Sequence, residues 1–380
     1  MSAVESSEAN MFPARGPRLA FYGAFCFLAV VAGVGCTSAS HVGLPGSDAG
    51  TSQVPPADGR CGLTPQLVVP ASAFPVPTDA GPVTSGVGAI IATGSDLYYT
   101  IWVLPVVSPG FGAAYFDASL LRVPMSGGQP TLIASGALFL DWVLTPTSLI
   151  VGENTSSGSD VILSVPLAGG PPTTVLTCNY CLVSGFATDG TYVYLGDTNG
   201  VEAVSLAPTS GSPAVITLTS DIPGTIAVLG QQLILALPEG GVESVPLPPL
   251  ANSAVTQRGT AGAGQNDMQP CGSNVCWRSE APNEIWQMNP ASGAPTTLAT
   301  LPFAEAWGLT FDGSNFYLAV TDSNSSTVKL ARISADGSDP VVLVTMKNGG
   351  AHAVDDECVY WASSEGIYSL AKTARGPFNQ

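Results

Sequence analysis

A short pattern recurs seven times along this chain and leaves few folds open to it. It reads TGSDLYYT from Thr93, TPTSLIVG from Thr145, DGTYVYLG from Asp189 and LGQQLILA from Leu229. It continues as CGSNVCWR from Cys271, DGSNFYLA from Asp312 and DDECVYWA from Asp355. Each copy is four turn-like residues, three mostly apolar or aromatic ones and a small or polar closing residue, and the starts lie 40 to 52 residues apart. A second unit follows, as in LLRVPMSGGQPTLIA (120–134), ILSVPLAGGPPTTVL (162–176) and IWQMNPASGAPTTLA (285–299): a strand, a Gly/Pro turn and another strand. Roughly four strands per period of about 42 residues is the signature of a β-propeller. One such sheet leaves two faces uncovered and cannot stand alone, whereas sheets packed around an axis cover each other. The expected fold is all-β, a single propeller of seven blades with four antiparallel strands each, six blades being the alternative.

Composition agrees. Charged residues make up 10% of the chain against 45% apolar, with 43 Gly and 32 Pro, which suits short strands and tight turns. No long window carries helical periodicity, so a doubly wound α/β fold is excluded, and a β-sandwich does not demand such even repetition. With 11 Lys and Arg and a net charge of −17, the chain lacks a basic patch for nucleic acid. The acidic excess keeps an apolar protein dispersed.

The two ends explain each other. The last copy runs through CVYWASSEGIYSLAKTARGP (358–377) and the chain stops before a fourth strand. PQLVVPASAF (65–74) stands ahead of the first full unit, and its segment 66–69 is expected to supply the missing outer strand, because a propeller left open exposes an edge. With Cys26 and Cys36 set aside in the leader, six cysteines remain. Cys178 with Cys181 and Cys271 with Cys276 are local pairs, which leaves Cys61 beside the closing strand for Cys358 in the last blade.

Arg15 and Arg18 precede an uncharged stretch, 19–36, in which Gly33 and Gly35 lead to Cys36. This is the layout of an export signal. Cys36 resembles the lipidated cysteine of a bacterial lipobox, although Gly33 stands where that motif usually has leucine. Cleavage without lipidation and an uncleaved anchor are the alternatives. Residues 37–64, rich in Gly, Ser, Pro and Asp, read as a flexible tether, and 65–380 as the propeller domain. The expectation is an exported monomer, an outer-membrane or cell-surface lipoprotein that touches the membrane only through its N-terminus.

The segment VYWASSEGIYSLAKTARGP (359–377) is similar to the YWTD and TolB-type propeller repeat, in which an aromatic strand leads into an I-Y-R-A-like strand and a Gly-rich turn. The resemblance spans about residues 86–377. It implies architecture rather than activity, and agrees with exported lipoproteins that carry similar repeats. Most copies here lack the acidic residue after the aromatic pair, and those families usually have six blades.

Candidates for chemistry are few. Outside the leader and tether the one histidine is His352; no Gly-x-Ser-x-Gly elbow occurs, and a His-rich zinc site is impossible. Cys178-Asn-Tyr-Cys181 has redox spacing without a thioredoxin-like context, so it reads as a structural disulfide. Three residues before each repeat stand Ile90, Trp142, Phe186, Ile226, Met268, Leu309 and His352, a column expected to pack between blades. One position earlier stand Ala89, Asp141, Gly185, Thr225, Asp267, Gly308 and Ala351, expected to line the central channel. Asp141 and Asp267 there suit either calcium or channel water; no other cofactor is implied. A long insertion in the first repeat (104–119) carries Phe111, Tyr115 and Phe116, an aromatic grip for a glycan or protein of the cell envelope, or a plug over its own blade. The reading is a non-catalytic binding or scaffold module. The alternatives are an exported hydrolase or lyase with a site at the channel mouth, built on His352, Asp141 and Asp267, and a structural envelope spacer.

Overall fold

A computed structural model describes residues 61–74, 83–105, 117–125, 127–136, 138–154, 159–179, 183–207, 214–249, 253–291, 293–322, 327–346 and 350–379. They form seven antiparallel sheets arranged as a propeller. Blades 1 to 6 cover residues 83–136, 138–179, 185–219, 225–260, 263–300 and 305–346, each a four-stranded meander. The seventh combines His352–Val354, Cys358–Ser363 and Gly366–Ala371 with the N-terminal strand Gln66–Pro70.

The repeated apolar triplets form the second strands, buried on both faces: Tyr194, Ile234, Trp277, Tyr317 and Trp361 are inaccessible or nearly so. Seven apolar clusters result, one at each junction between blades. The core is thus a ring of interfaces, and the axis is left for other residues. Six members of the expected packing column lie within these clusters: Ile90, Trp142, Phe186, Ile226, Met268 and Leu309.

The turns explain the rest of the repeat. In blade 3 Asp189 accepts from the backbone N–H of Thr191 and Tyr192 through one oxygen and from the Tyr194 hydroxyl through the other. Asp312 does the same with Ser314, Asn315 and Tyr317, and Asp355 with Glu357, Cys358 and Tyr360. An aspartate therefore closes the turn between first and second strands and pins the tyrosine five residues on. In blades 1 and 2 the hydroxyls of Thr93 and Thr145 close the turn instead.

The N-terminal strand completes the ring as expected. Gln66 pairs with Ser369 and Leu67 with Tyr368, then the register slips before Val69 pairs with Ile367. The same slip separates third and fourth strands in every other blade. Gly366 (φ +142°) makes room for it: a Cβ there would lie 2.1 Å from the Val69 carbonyl oxygen. Cys61 and Cys358 are joined by a disulfide (S–S 2.07 Å), and Ala371 donates its N–H to the Gly62 carbonyl at 2.9 Å.

One arrangement is not written in the repeat. After its last turn the chain leaves the seventh blade, and Phe378–Asn379 pairs in parallel with Val344 and Thr345 as a fifth strand on the sixth. The two ends cover edges on adjacent blades, which limits sheet-to-sheet association there.

Candidate functional site at the channel mouth

Antiparallel topology puts the starts of the first strands, the loops between blades and the turns between second and third strands on one face of the ring. Pro105 and Asp117, which flank the insertion, lie on that face; Phe111, Tyr115 and Phe116 lie outside the described residues, as do Cys36 and Cys181. Cys178 is disulfide-bonded. Cys271 and Cys276 form a second bond, which staples the hairpin turn of blade 5 (S–S 1.92 Å). Among the described residues no helix is long and apolar enough to cross a membrane.

The polar members of the channel column share one task. The first strand is the innermost of its blade, so its inward edge has no neighbouring strand and its N–H groups need other partners. Asp141 in blade 2 accepts from its neighbour Trp142 at 2.7 Å and from Phe186 of blade 3 at 3.2 Å. Thr225 in blade 4 accepts from Met268 of blade 5 at 3.2 Å, and Asp267 in blade 5 from Gly308 of blade 6 at 3.0 Å. Each reaches the blade after its own. The two aspartates thus do not project as free solvated carboxylates; they fasten blade to blade.

Their surroundings differ. Asp141 keeps some accessible surface, but protein surrounds its carboxyl. Burial, opposed by the two N–H groups and reinforced by the charge of Asp267, pushes its carboxyl up to about 8. Asp267 lies 3.6 Å from the Nε of Arg278, itself almost fully buried and 3.7 Å from Glu280. It sits in a bulge of the first strand with φ +58°, a left-handed conformation that aspartate tolerates better than most residues. Two residues on, Gln269 uses its amide as a further rung: its Nε2 donates to the Leu309 carbonyl at 2.7 Å, and its Oε1 accepts from the Phe311 N–H at 3.1 Å. The signal for Gln269 is its polarity in a column that otherwise holds Ile91, Val143, Ala187, Ala227, Thr310 and Ala353.

His352 occupies the packing position of blade 7 with a polar ring. Its Nδ1 lies 3.1 Å from the Gly350 carbonyl and its Nε2 3.2 Å from the Tyr317 carbonyl of blade 6. A neutral imidazole has one N–H and can serve only one of these acceptors at a time. Burial lowers its pKa, against the pull of these carbonyls and of Asp267. Gly308 (φ +68°) lies against the ring; a Cβ there would come within 2.8 Å of its Cε1. Ala89, Ile90, Gly308, Thr310, Gly350, Ala351 and His352 line a cavity of about 10 Å³, close to the least that holds one water. Neither aspartate lines it. Asp267 and His352 flank Gly308 from either side, while Asp141 belongs to the junction of blades 2 and 3.

The segments DTNG (197–200) and TDSNSS (321–326) resemble fragments of calcium loops in sequence, but their aspartates are otherwise engaged. Asp197 of DTNG accepts from the backbone and side chain of Asn199, and Asp322 of TDSNSS pairs with Lys329. Among the described residues no three His, Cys, Asp or Glu side chains are grouped to hold a metal.

Comparison with known proteins establishes architecture alone. No protein-family model matches the sequence, and no curated protein does. Among solved structures, the chain is similar to a catalytically inactive variant of virginiamycin B lyase from Staphylococcus aureus with quinupristin. The TM-score is 0.54 at 12% identity, over 81% of this chain and 99% of that one. It is also similar to a chain of the mitotic checkpoint complex, with a TM-score of 0.53 at 13% identity, over 86% and 99%. TolB from Acinetobacter baumannii aligns with a TM-score of 0.46 at 13% identity, over 76% and 81%. An enzyme and a complex-forming protein share this ring, so the fold does not choose between them.

Proposed function

We propose that the protein is an exported, non-catalytic propeller that presents the face of its inter-blade loops to a protein or glycan of the cell envelope. The observation that carries this reading is the engagement of the channel-mouth polar groups. Asp141 and Asp267 bond to backbone N–H groups of the following blades, and both nitrogens of His352 face carbonyl oxygens. Side chains committed to holding blades together have little freedom for general acid–base work. The disulfides fit an oxidising compartment outside the cytoplasm, and lipidation at Cys36 would hold the protein at a membrane there. The insertion 106–116, flanked by Pro105 and Asp117 on this face, is a stretch of sequence that the other repeats do not share. Capture from solubilised envelope by the immobilised protein should recover a partner that a Δ106–116 variant fails to retain. Equal recovery by both overturns the role of that loop. The rival hydrolase or lyase reading rests on His352 beside the cavity. It predicts a substrate turned over by the wild type and not by His352→Gln.

A further inference from the structure

The residue that closes the repeat is small in six copies and an arginine in one. Thr100, Gly152, Gly196, Ala236, Ala319 and Ala362 hold this position, and blade 5 has Arg278. The position looks toward the following blade: a Cβ on Gly152 would lie 3.0 Å from the Phe186 ring of blade 3. Arg278 reaches the corresponding junction. Its Nε is 3.6 Å from the Asp267 Oδ2 that accepts from the Gly308 N–H of blade 6, and its Nη2 is 3.7 Å from Glu280 Oε1.

Neither carboxylate is close enough for a hydrogen bond, and each near oxygen is already taken. Asp267 Oδ2 serves Gly308 at 3.0 Å, and Glu280 Oε1 serves the Asn266 side-chain amide at 2.9 Å. The Nε of Arg278 is enclosed without a hydrogen-bond partner, and the side chain is 7% exposed. A buried donor left unmet is costly, so such a group calls for an acceptor. The opening is on the face of the inter-blade loops. Arg278 pairs there with Asn266, near the start of the first strand, and Glu280, 62% exposed, follows two residues later. Beyond Gly308 lies the cavity of about 10 Å³ that it shares with Gly350, Ala351 and His352, the size of one water or hydroxyl.

We propose that Arg278, Asp267 and Glu280 bind a neutral saccharide at the channel mouth, a site that rests on the binding role proposed for this face and names its ligand. Two acids and one arginine leave an excess of negative charge that repels an acidic sugar, while the arginine repels a bare cation. A sugar hydroxyl both accepts and donates. It can accept from a guanidinium N–H of Arg278 and donate to a carboxylate oxygen of Asp267 or Glu280. Neighbouring hydroxyls on one ring match the planar fork of a guanidinium, which the ammonium of lysine does not reproduce. A further hydroxyl fits the cavity beside Gly308, next to the small channel residues Ala89 and Ala351.

The test is affinity electrophoresis of the full chain in native gels that contain dextran, mannan or galactan, with polygalacturonate as the acidic control. At least one neutral polysaccharide should retard the wild type, and polygalacturonate should not. Arg278→Lys and Glu280→Gln should each weaken the apparent affinity about tenfold, the loss of a hydrogen bond to a charged group. Glu280 is exposed, so its variant reports even if the change at Arg278 impairs folding. Unaltered mobility in every neutral gel, or retardation that both variants keep, overturns the site. Retardation lost only in Δ106–116 moves the glycan to the insertion. The wider binding role fails separately: it stands without this site if envelope capture still depends on 106–116 and survives Arg278→Lys.

Discussion

The third and seventh blades reach the same geometry by different routes. In blade 3 the fourth strand follows the third along the chain; in blade 7 it arrives from the opposite terminus, 297 residues away at the disulfide. Yet both carry the same register slip between third and fourth strands. Both put a glycine of positive φ at the start of the third, Gly200 and Gly366, where a Cβ would fall 2.0 Å from the Thr219 carbonyl and 2.1 Å from that of Val69. The hairpin therefore sets how an outer strand docks, and connectivity only decides how strongly it is kept there. In the seam the disulfide takes over the work of the loop.

Breaking that bond should have the largest effect. In the chain-entropy model a closed loop of this length contributes on the order of 5 kcal/mol, against about 2 for the short loop closed by Cys271 and Cys276. Cys61→Ser should lower Tm sharply under oxidising conditions and leave it unchanged under reducing ones, and Cys276→Ser should cost less than half as much. Equal losses in both redox states would show that Cys61 acts by packing alone.

A second perturbation compares the two glycines. Alanine at Gly200 or Gly366 meets the same carbonyl and the same strained backbone, at a cost of about 1–3 kcal/mol. In blade 3 the strand must absorb the strain, because its loop retains it. In blade 7 the strand can detach up to the disulfide. Gly366→Ala should therefore raise the hydrogen-exchange rate of Val69 and the protease sensitivity of the segment after Cys61, whereas Gly200→Ala should lower Tm without local opening. Matching exchange patterns in the two variants would remove the distinction.

The smallest effect lies away from the seam, at the axis. Asp141 is held protonated in the folded protein up to about pH 8, while the unfolded chain releases that proton near 4. The unfolded state thus binds fewer protons between those values, and stability falls as pH rises through them. Asp141 is partly exposed and solvent screens part of this, so a change of ~1–2 °C in Tm is expected between pH 6.5 and 8. Asp141→Asn should flatten the slope there. His352, its pKa lowered, works in the opposite sense: its contribution is full above ~6.5 and is lost as pH falls below that. The comparison is therefore made above 6.5. A slope unchanged in Asp141→Asn would mean that the carboxyl is already ionised.

Architecture was legible because it is repeated. Seven apolar triplets count seven blades, and the shortfall after Leu370 together with the strand-like run at Gln66 shows how the ring closes. The aspartate that pins a tyrosine could also have been found, since Asp and Tyr stand five residues apart in three copies, at 189, 312 and 355. What repeats did not carry is what single residues do between blades. The span of Gln269 across to Leu309 and Phe311 depends on a bulge at Asp267, and the turn of the tail to blade 6 depends on an edge made elsewhere in the chain. The column of Asp141, Thr225 and Asp267 can be read off the repeat, but its aspartates bond to backbone groups whose need for partners appears only once neighbouring blades are in register.

The clasp between Cys61 and Cys358 also gives the ring a direction. Cys358 follows directly on the turn closed by Asp355, which lies on the face opposite the inter-blade loops. The N-terminal strand then climbs from Gln66, opposite Ser369, to Pro70, opposite Gly366. The described chain therefore enters the ring at Cys61 from its underside. The starts of the first strands, where one blade hands over to the next, face away from that point of entry.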